Sequence, residues 1–237
     1  MSSVKNIGIV LTGSITPNIS ISHMDPVKRR QEYLKAIKYY ANFAKVYFLE
    51  NSTYPLLTDQ EFLGLKNCVL RKIPLSAHPE RGKGYQEFEM LTHWVKTEVV
   101  LPDRFIKITG RYHVLNFKDI FKECLAQPSP CFLIDCLKYK ALALTWLFCI
   151  ETQMYQEKLH DLYLGCNDDA GDWVERILFR RLFKGNIEFS FFRNEPKIAR
   201  IDGTTGCLIR PPAVRHWVKA FLRCANRVFD KKYIVYR

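Results

Sequence analysis

The first fifty residues constrain the fold most. Ile7-Gly8-Ile9-Val10-Leu11 is an unbroken apolar run that stops at Thr12-Gly13-Ser14, the pattern of a strand buried on both faces and followed by a loop. Asp25-Pro26 then supplies an N-cap and a proline for a first helical position, and Tyr33, Leu34, Ile37, Tyr40 and Ala41 recur at helical spacing. Val46-Tyr47-Phe48-Leu49 is a second buried strand, ending at the polar triplet Glu50-Asn51-Ser52 where a ligand-facing loop can begin. Strand, helix and strand in that order predict an α/β domain with a largely parallel sheet. Ligands of such sheets gather at the carboxyl ends of the strands.

The pattern continues along the chain. Residues 68–73 read as a short strand, the Pro/Gly-rich span 74–84 as a flexible loop, and 85–99 as a helix. Phe105-Ile106-Lys107-Ile108-Thr109 reads as a strand ending at Gly110-Arg111-Tyr112, and Cys131-Phe132-Leu133-Ile134 as one ending at Asp135. Helical patterns are expected over 142–159 and 172–183. A last amphipathic helix is expected over about 213–229, with Val214, Trp217, Val218, Phe221, Leu222, Ala225, Val228 and Phe229 on one face. Neither an internal repeat nor a low-complexity linker divides the chain.

Composition narrows the class of function. At 237 residues, with 48% hydrophobic and 14% aromatic residues, the chain can repay its ordering entropy, which excludes a disordered tail protein. The net charge of +12 and a pI near 9.3 favour nucleic acid, phosphorylated substrates or acidic lipid as partners. Residues 193–237 hold eleven Lys and Arg against three Asp and Glu, so the excess is largely C-terminal. On the last helix Arg215, Lys219, Arg223 and Arg227 recur every four residues; this flank either rests on lipid phosphates or is the solvated edge of a packing helix. Eight cysteines without a Cys-x-x-Cys read as reduced apolar thiols. No signal h-region is expected at the N-terminus and the apolar stretch 141–150 is half a membrane span, so a cytoplasmic protein touching a membrane from one side is expected. The six histidines are scattered without metal spacing, and no Gly-x-Ser-x-Gly elbow occurs, so a hydrolase has little support.

Three stretches carry the candidate chemistry. In Arg81-Gly82-Lys83-Gly84-Tyr85-Gln86-Glu87-Phe88-Glu89, a lysine and glycines precede a helix whose free backbone N–H groups would suit a phosphate; Glu87 and Glu89 alternatively offset the helix dipole. In Lys107-Ile108-Thr109-Gly110-Arg111-Tyr112, two cations border a glycine at the end of a buried strand. Such cations need an anion, either a bound diphosphate or an internal carboxylate, and the glycine lets a ligand approach the backbone. In Asn167-Asp168-Asp169-Ala170-Gly171-Asp172-Trp173-Val174-Glu175, the spacing puts Asp172 and Glu175 on one helical face. They are equally a general base or a capping pair, with Asp172 as the cap and Glu175 reaching back.

Lys83-Gly84-Tyr85-x-Glu87-x-Glu89-Met90 followed by Phe105-x-Lys107-Ile108-Thr109-Gly110-Arg111-Tyr112 resembles a family of small bacterial glycosyltransferases encoded with capsule, O-antigen and lipooligosaccharide genes. Asp25, Arg29, Gln31 and Ala36, and the Val46-x-Phe48-x-Glu50-Asn51-Ser52 segment, add to the likeness, which covers the first half of the chain. Gln86 and Phe88 stand where the family pattern has glycines.

The resemblance implies a single Rossmann-like (GT-A-like) α/β domain over 1–237, with a sugar-nucleotide-binding half over 1–120 and an acceptor half over 121–237. It implies a nucleotide-sugar donor held by Thr12, Gly13, Asn51, Lys83, Gly84, Glu87, Glu89, Lys107, Thr109, Gly110, Arg111 and Tyr112, with Lys107 and Arg111 neutralising the departing diphosphate. Asp172 or Glu175 would be the base of an inverting transfer. The acceptor would be a saccharide or a polyprenyl-diphosphate-linked glycan, with peripheral contact to an anionic membrane. Divalent manganese or magnesium is left open by the absence of Asp-x-Asp. Against this stand a basic nucleic-acid-binding module, which no RRM, KH or zinc-finger signature supports, and a nonenzymatic polysaccharide-assembly protein.

Overall fold

The computed structural model describes residues 6–17, 25–185, 187–201, 208–209 and 235–236. The basic helix expected over 213–229 lies outside the described residues.

The strands are β1 (Ile7–Gly13), β2 (Lys45–Glu50), β3 (Cys68–Lys72), β4 (Arg104–Thr109), β5 (His113–Val114), β6 (Phe132–Leu137), β7 (Leu142–Glu151), β8 (Phe189–Ser190), β9 (Ile198–Ile201), β10 (Leu208–Ile209) and β11 (Val235–Tyr236). The α-helices are α1 (Pro26–Tyr40), α2 (Gln60–Leu63), α3 (Lys83–Thr97), α4 (Phe117–Ala126), α5 (Thr152–Lys158) and α6 (Val174–Lys184). The main sheet runs β11-β8-β6-β7-β4-β1-β2-β3, and β10-β9-β5 form a small second sheet. Pairing is parallel through β3, β2, β1 and β4 and again between β6 and β8. It is antiparallel where β7 joins β4 and β6 and where β11 joins β8. The expected α/β domain with a mostly parallel sheet is what the chain forms.

Each face of the sheet is covered by helices. Ile9, Leu11, Phe48, Ile106 and Ile108 pack with Tyr33, Ile37 and Tyr40 of α1 and Phe117 and Ile120 of α4. On the other face Val10, Tyr47, Phe105 and Phe148 pack with Phe88, Leu91 and Trp94 of α3 and Leu178 and Leu182 of α6. The alternation along β1 and β4 follows from the period of two of a strand buried on both sides.

Asp25 caps α1 by accepting from the Val27 N–H at 2.8 Å, with Pro26 at the first position, as the sequence predicts. The expected helix over 142–159 is a correction: 142–151 is strand β7, and only 152–158 is helical. Leu142 to Ile150 is apolar except for Thr145, a run that periodicity alone does not separate from a buried helix. Pairing on β4 and β6 settles it. No helix among the described residues is long and apolar enough to cross a membrane.

Candidate functional site

Because β1, β2 and β4 are parallel, their carboxyl ends open on one side. There a cleft of about 200 Å³ is lined by Thr12, Gly13, Ser14 and Pro17 after β1, Asn51 after β2, Thr109 and Arg111 after β4, Arg29 and Tyr33 of α1, and Lys83, Gln86, Glu87 and Met90 of α3. Seven of the sequence candidates meet in this one place: Thr12, Gly13, Asn51, Lys83, Glu87, Thr109 and Arg111. Gly84, Glu89, Lys107, Gly110, Tyr112, Asp172 and Glu175 are not in its lining.

Lys107 is wholly buried and points to α3, where its Nζ lies 2.7 Å from Glu87 Oε1. It also donates to the Thr145 carbonyl at 2.8 Å and to Thr109 Oγ1 at 3.2 Å. Burial pulls its pKa below the ordinary lysine value, opposed by the Glu87 carboxylate. The anion expected for this cation is thus an internal one, and Lys107 does not face the cleft. Its counterpart Arg111 does, while its Nη1 holds Glu32 Oε2 at 3.0 Å.

Among the described residues Glu87 is the only carboxylate in the lining. Its Oε1 accepts from Thr12 Oγ1 at 2.5 Å and Thr109 Oγ1 at 3.2 Å in addition to Lys107. Arg29, which the sequence singled out only for its family likeness, is 5% exposed and donates from Nε to the Ser14 carbonyl at 3.0 Å. Burial lowers its pKa, and Arg111 adds to the lowering, which places the two guanidiniums in one another's field. Its signal was legible: on α1 it occupies the apolar stripe of Tyr33, Ile37 and Tyr40, where a cation requires a partner. Among the described residues Arg29, Lys83, Arg111 and Lys107 stand against Glu87, which Lys107 holds, and Glu32, which Arg111 holds, so the described part of the cleft carries a net positive charge. The Asn51 side chain, 7% exposed, takes no hydrogen bond among the described residues.

The glycines carry a structural reason. A Cβ on Gly110 would sit 2.4 Å from the Thr12 carbonyl oxygen and 2.9 Å from the Tyr33 ring, and one on Gly13 would meet the Phe48 and Tyr33 rings. A Cβ on Gly84 would meet Val174 at 2.6 Å. These glycines admit neighbouring protein atoms, not the ligand approach expected for Gly110. The α3 N-terminus differs from expectation too. Gly82 precedes it at φ +102°, and the Lys83 N–H is taken by the Asp168 carboxylate at 3.1 Å, in the position expected for a phosphate.

Asp172 is half-exposed and pairs with Arg180 at 3.1 Å. The N-cap of α6 is Trp173, without a side-chain cap bond, so the capping pair expected of Asp172 and Glu175 does not form. Glu175 instead lies behind Lys107, where Thr145 Oγ1 donates to it at 3.3 Å and burial pushes its carboxyl pKa upward. Of the triplet that closes β2, Glu50 and Ser52 serve structure. Glu50 is buried, pairs with Lys72 at 2.6 Å and accepts from the Ile15 and Ser52 N–H groups. Phe88, at the family's glycine position, is buried beside Phe148. Among the described residues no three His, Cys, Asp or Glu side chains are grouped to hold a metal ion, and Glu87 Oε1 is engaged by the Lys107 ammonium.

No protein-family model and no curated protein matches the chain. Among solved structures it is similar to the inositol-1-phosphate CTP transferase from T. maritima, with 14% identity, TM-score 0.51, and coverage of 94% of this chain and 97% of that one. It is also similar to a cytidylyltransferase from Leptospira borgpetersenii serovar Hardjo-bovis (16% identity, TM-score 0.48, 98% and 91% covered). A third is the glycosyltransferase GlyE in Streptococcus pneumoniae TIGR4, at 15% identity and TM-score 0.48; the match takes 80% of this chain and spans 45% of the length of GlyE. At these identities the likeness, carried by the inositol-1-phosphate CTP transferase, is one of fold alone.

Proposed function

We propose that the chain is a glycosyltransferase that moves a sugar from a nucleotide-sugar donor to a saccharide or lipid-linked glycan. The observation that carries this reading is the electropositive cleft at the ends of β1, β2 and β4, with Arg29, Lys83 and Arg111 in its wall and the Asn51 amide unengaged. A diphosphate is the anion that fits paired guanidiniums, which meet phosphate oxygens in a planar, bidentate fashion. During transfer the acceptor oxygen forms a bond to the anomeric carbon as the bond to the diphosphate breaks, and the cleft's cations hold the charge that develops on the leaving group. The base that takes the acceptor proton is assigned to the Asp172–Glu175 stretch. Glu175 joins the cleft through Thr145, Lys107 and Glu87, whereas Asp172 is held by Arg180. The acceptor enters from the half beyond residue 120, and the cations of 213–229 meet an anionic membrane on its cytoplasmic face.

Calorimetric titration with nucleoside diphosphates and nucleotide sugars, with and without manganese, tests the reading. Saturable binding of one nucleoside diphosphate is expected, and no binding of any would overturn it. A second reading, transfer of a nucleotidyl group, draws on the full-length fold likeness to the inositol-1-phosphate CTP transferase. It predicts pyrophosphate release from a nucleoside triphosphate, where glycosyl transfer releases a nucleoside diphosphate.

A further inference from the structure

Glu87 is held in an unusual way for a carboxylate in a cation-lined cleft. Its Oε1 receives three donors: the Thr12 hydroxyl from the end of β1, the Thr109 hydroxyl from the end of β4, and the buried Lys107 ammonium. Its Oε2 has no partner among the described residues, and the side chain, 20% exposed, lines the cleft. One oxygen is therefore fixed by three contacts from two strands, while the other keeps its accepting capacity unspent. A residue needed only as counter-ion to Lys107 would not require both threonines. An Oε2 within an anion-binding cleft repels phosphate oxygens, so what it meets must donate a hydrogen bond.

From this arrangement we propose that Glu87 is a substrate-binding residue whose Oε2 accepts a hydroxyl of the nucleotide sugar, and that Lys107 is its positioning residue. The inference rests on the nucleotide-sugar reading of the cleft. A nucleotide sugar offers hydroxyls on two parts, the ribose and the transferred sugar. In both the chemistry is a charge-assisted O–H···O⁻ bond, roughly twice as strong as a neutral one. Lys107 acts at a distance: it donates its proton to no substrate atom, but fixes the carboxylate's rotamer together with the two threonines.

The test measures affinities of the full chain for three probes: UDP or CDP, whichever binds; its 2′-deoxy analogue; and the corresponding nucleotide sugar. In the wild type, removing the contacted hydroxyl is expected to cost about tenfold or more in affinity, since a hydrogen bond to a charged group contributes about 1.5–3 kcal/mol. In Glu87→Gln, which retains the side chain's shape, that preference is expected to shrink several-fold. If the ribose is the source, the gap between the diphosphate and its 2′-deoxy analogue closes; if the transferred sugar is, the gap between the nucleotide sugar and the parent diphosphate closes. Lys107→Met is expected to lose the same gap while still binding the 2′-deoxy diphosphate, a selective loss that a purely structural role does not produce. Wild-type-like gaps in Glu87→Gln, melting as a folded protein, would overturn the inference and leave the nucleotide reading standing. Absence of nucleotide binding by the wild type would instead remove the reading on which it rests.

Discussion

Arg104 and Lys107 are buried cations three residues apart on β4, and they serve opposite ends of the sheet. At the amino end Arg104 donates to the Cys124 carbonyl at 2.5 Å and the Gln127 carbonyl at 3.2 Å, closing the carbonyls at the end of α4, and it pairs with Glu151 at 3.2 Å. Its partners are chiefly main-chain carbonyls, fixed by the fold. At the carboxyl end Lys107 has a side-chain carboxylate, and that carboxylate keeps an oxygen unspent in the cleft. Both cations satisfy the requirement that a buried charge be paired. What separates a structural cation from a site cation is which end of a parallel strand it serves, and whether its partner retains accepting capacity.

The largest effect is expected at the purely structural cation. Arg104→Met leaves the α4 carbonyls without their donor and takes the guanidinium from Glu151, which keeps the Ser129 hydroxyl; it should lower unfolding free energy by about 3–5 kcal/mol in a urea titration, with nucleotide affinity unchanged in the folded fraction. Lys107→Met should destabilise by somewhat less, because it removes the counter-ion of the Glu87 carboxylate while the Thr12 and Thr109 hydroxyls still donate to it. The double variant Lys107→Met with Glu87→Gln is expected to recover much of that stability but not the affinity for nucleotide sugar. Equal recovery of both would erase the contrast between the two cations.

Gly110→Ala probes the backbone between them. Its Cβ would press on the Thr12 carbonyl and the Tyr33 ring, so a loss of about 1–3 kcal/mol is expected. The melting temperature should fall before any change in nucleotide affinity of the folded protein. The smallest effect on stability is expected at Glu175, whose pKa is raised by burial in the folded state. The folded protein then binds that proton more tightly than the unfolded chain, so stability declines as pH rises from the ordinary glutamate value through the raised one. Glu175→Gln should flatten that decline and be the more stable protein at neutral pH. Denaturant melts at pH 4.5 and 7.5 measure it.

The β1–α1–β2 start was legible because apolar runs, a proline at the first helical position and an Asp cap all agree there. The cleft was partly legible for the same reason: strand ends are marked by Thr12-Gly13, Asn51 and Thr109-Gly110-Arg111, so topology brings them together. What sequence left undecided was direction. Whether Lys107 faced a ligand or a carboxylate depended on Glu87 of α3 lying across from it, a contact between residues twenty apart that no local pattern announces. The same holds for Asp168 occupying the α3 N-terminus, and for β7, whose run of apolar residues around Thr145 reads as helix until its strand partners are known.

The central claim is that the cleft at the ends of β1, β2 and β4 binds the diphosphate of a nucleotide. Calorimetric titration of the nucleoside diphosphate into the wild type, Arg111→Ala and the surface control Arg180→Ala tests it most directly. The account predicts one saturable site, an affinity reduced about tenfold or more in Arg111→Ala by loss of a charge-assisted bond, and no change in Arg180→Ala. Equal affinity in all three proteins would contradict it.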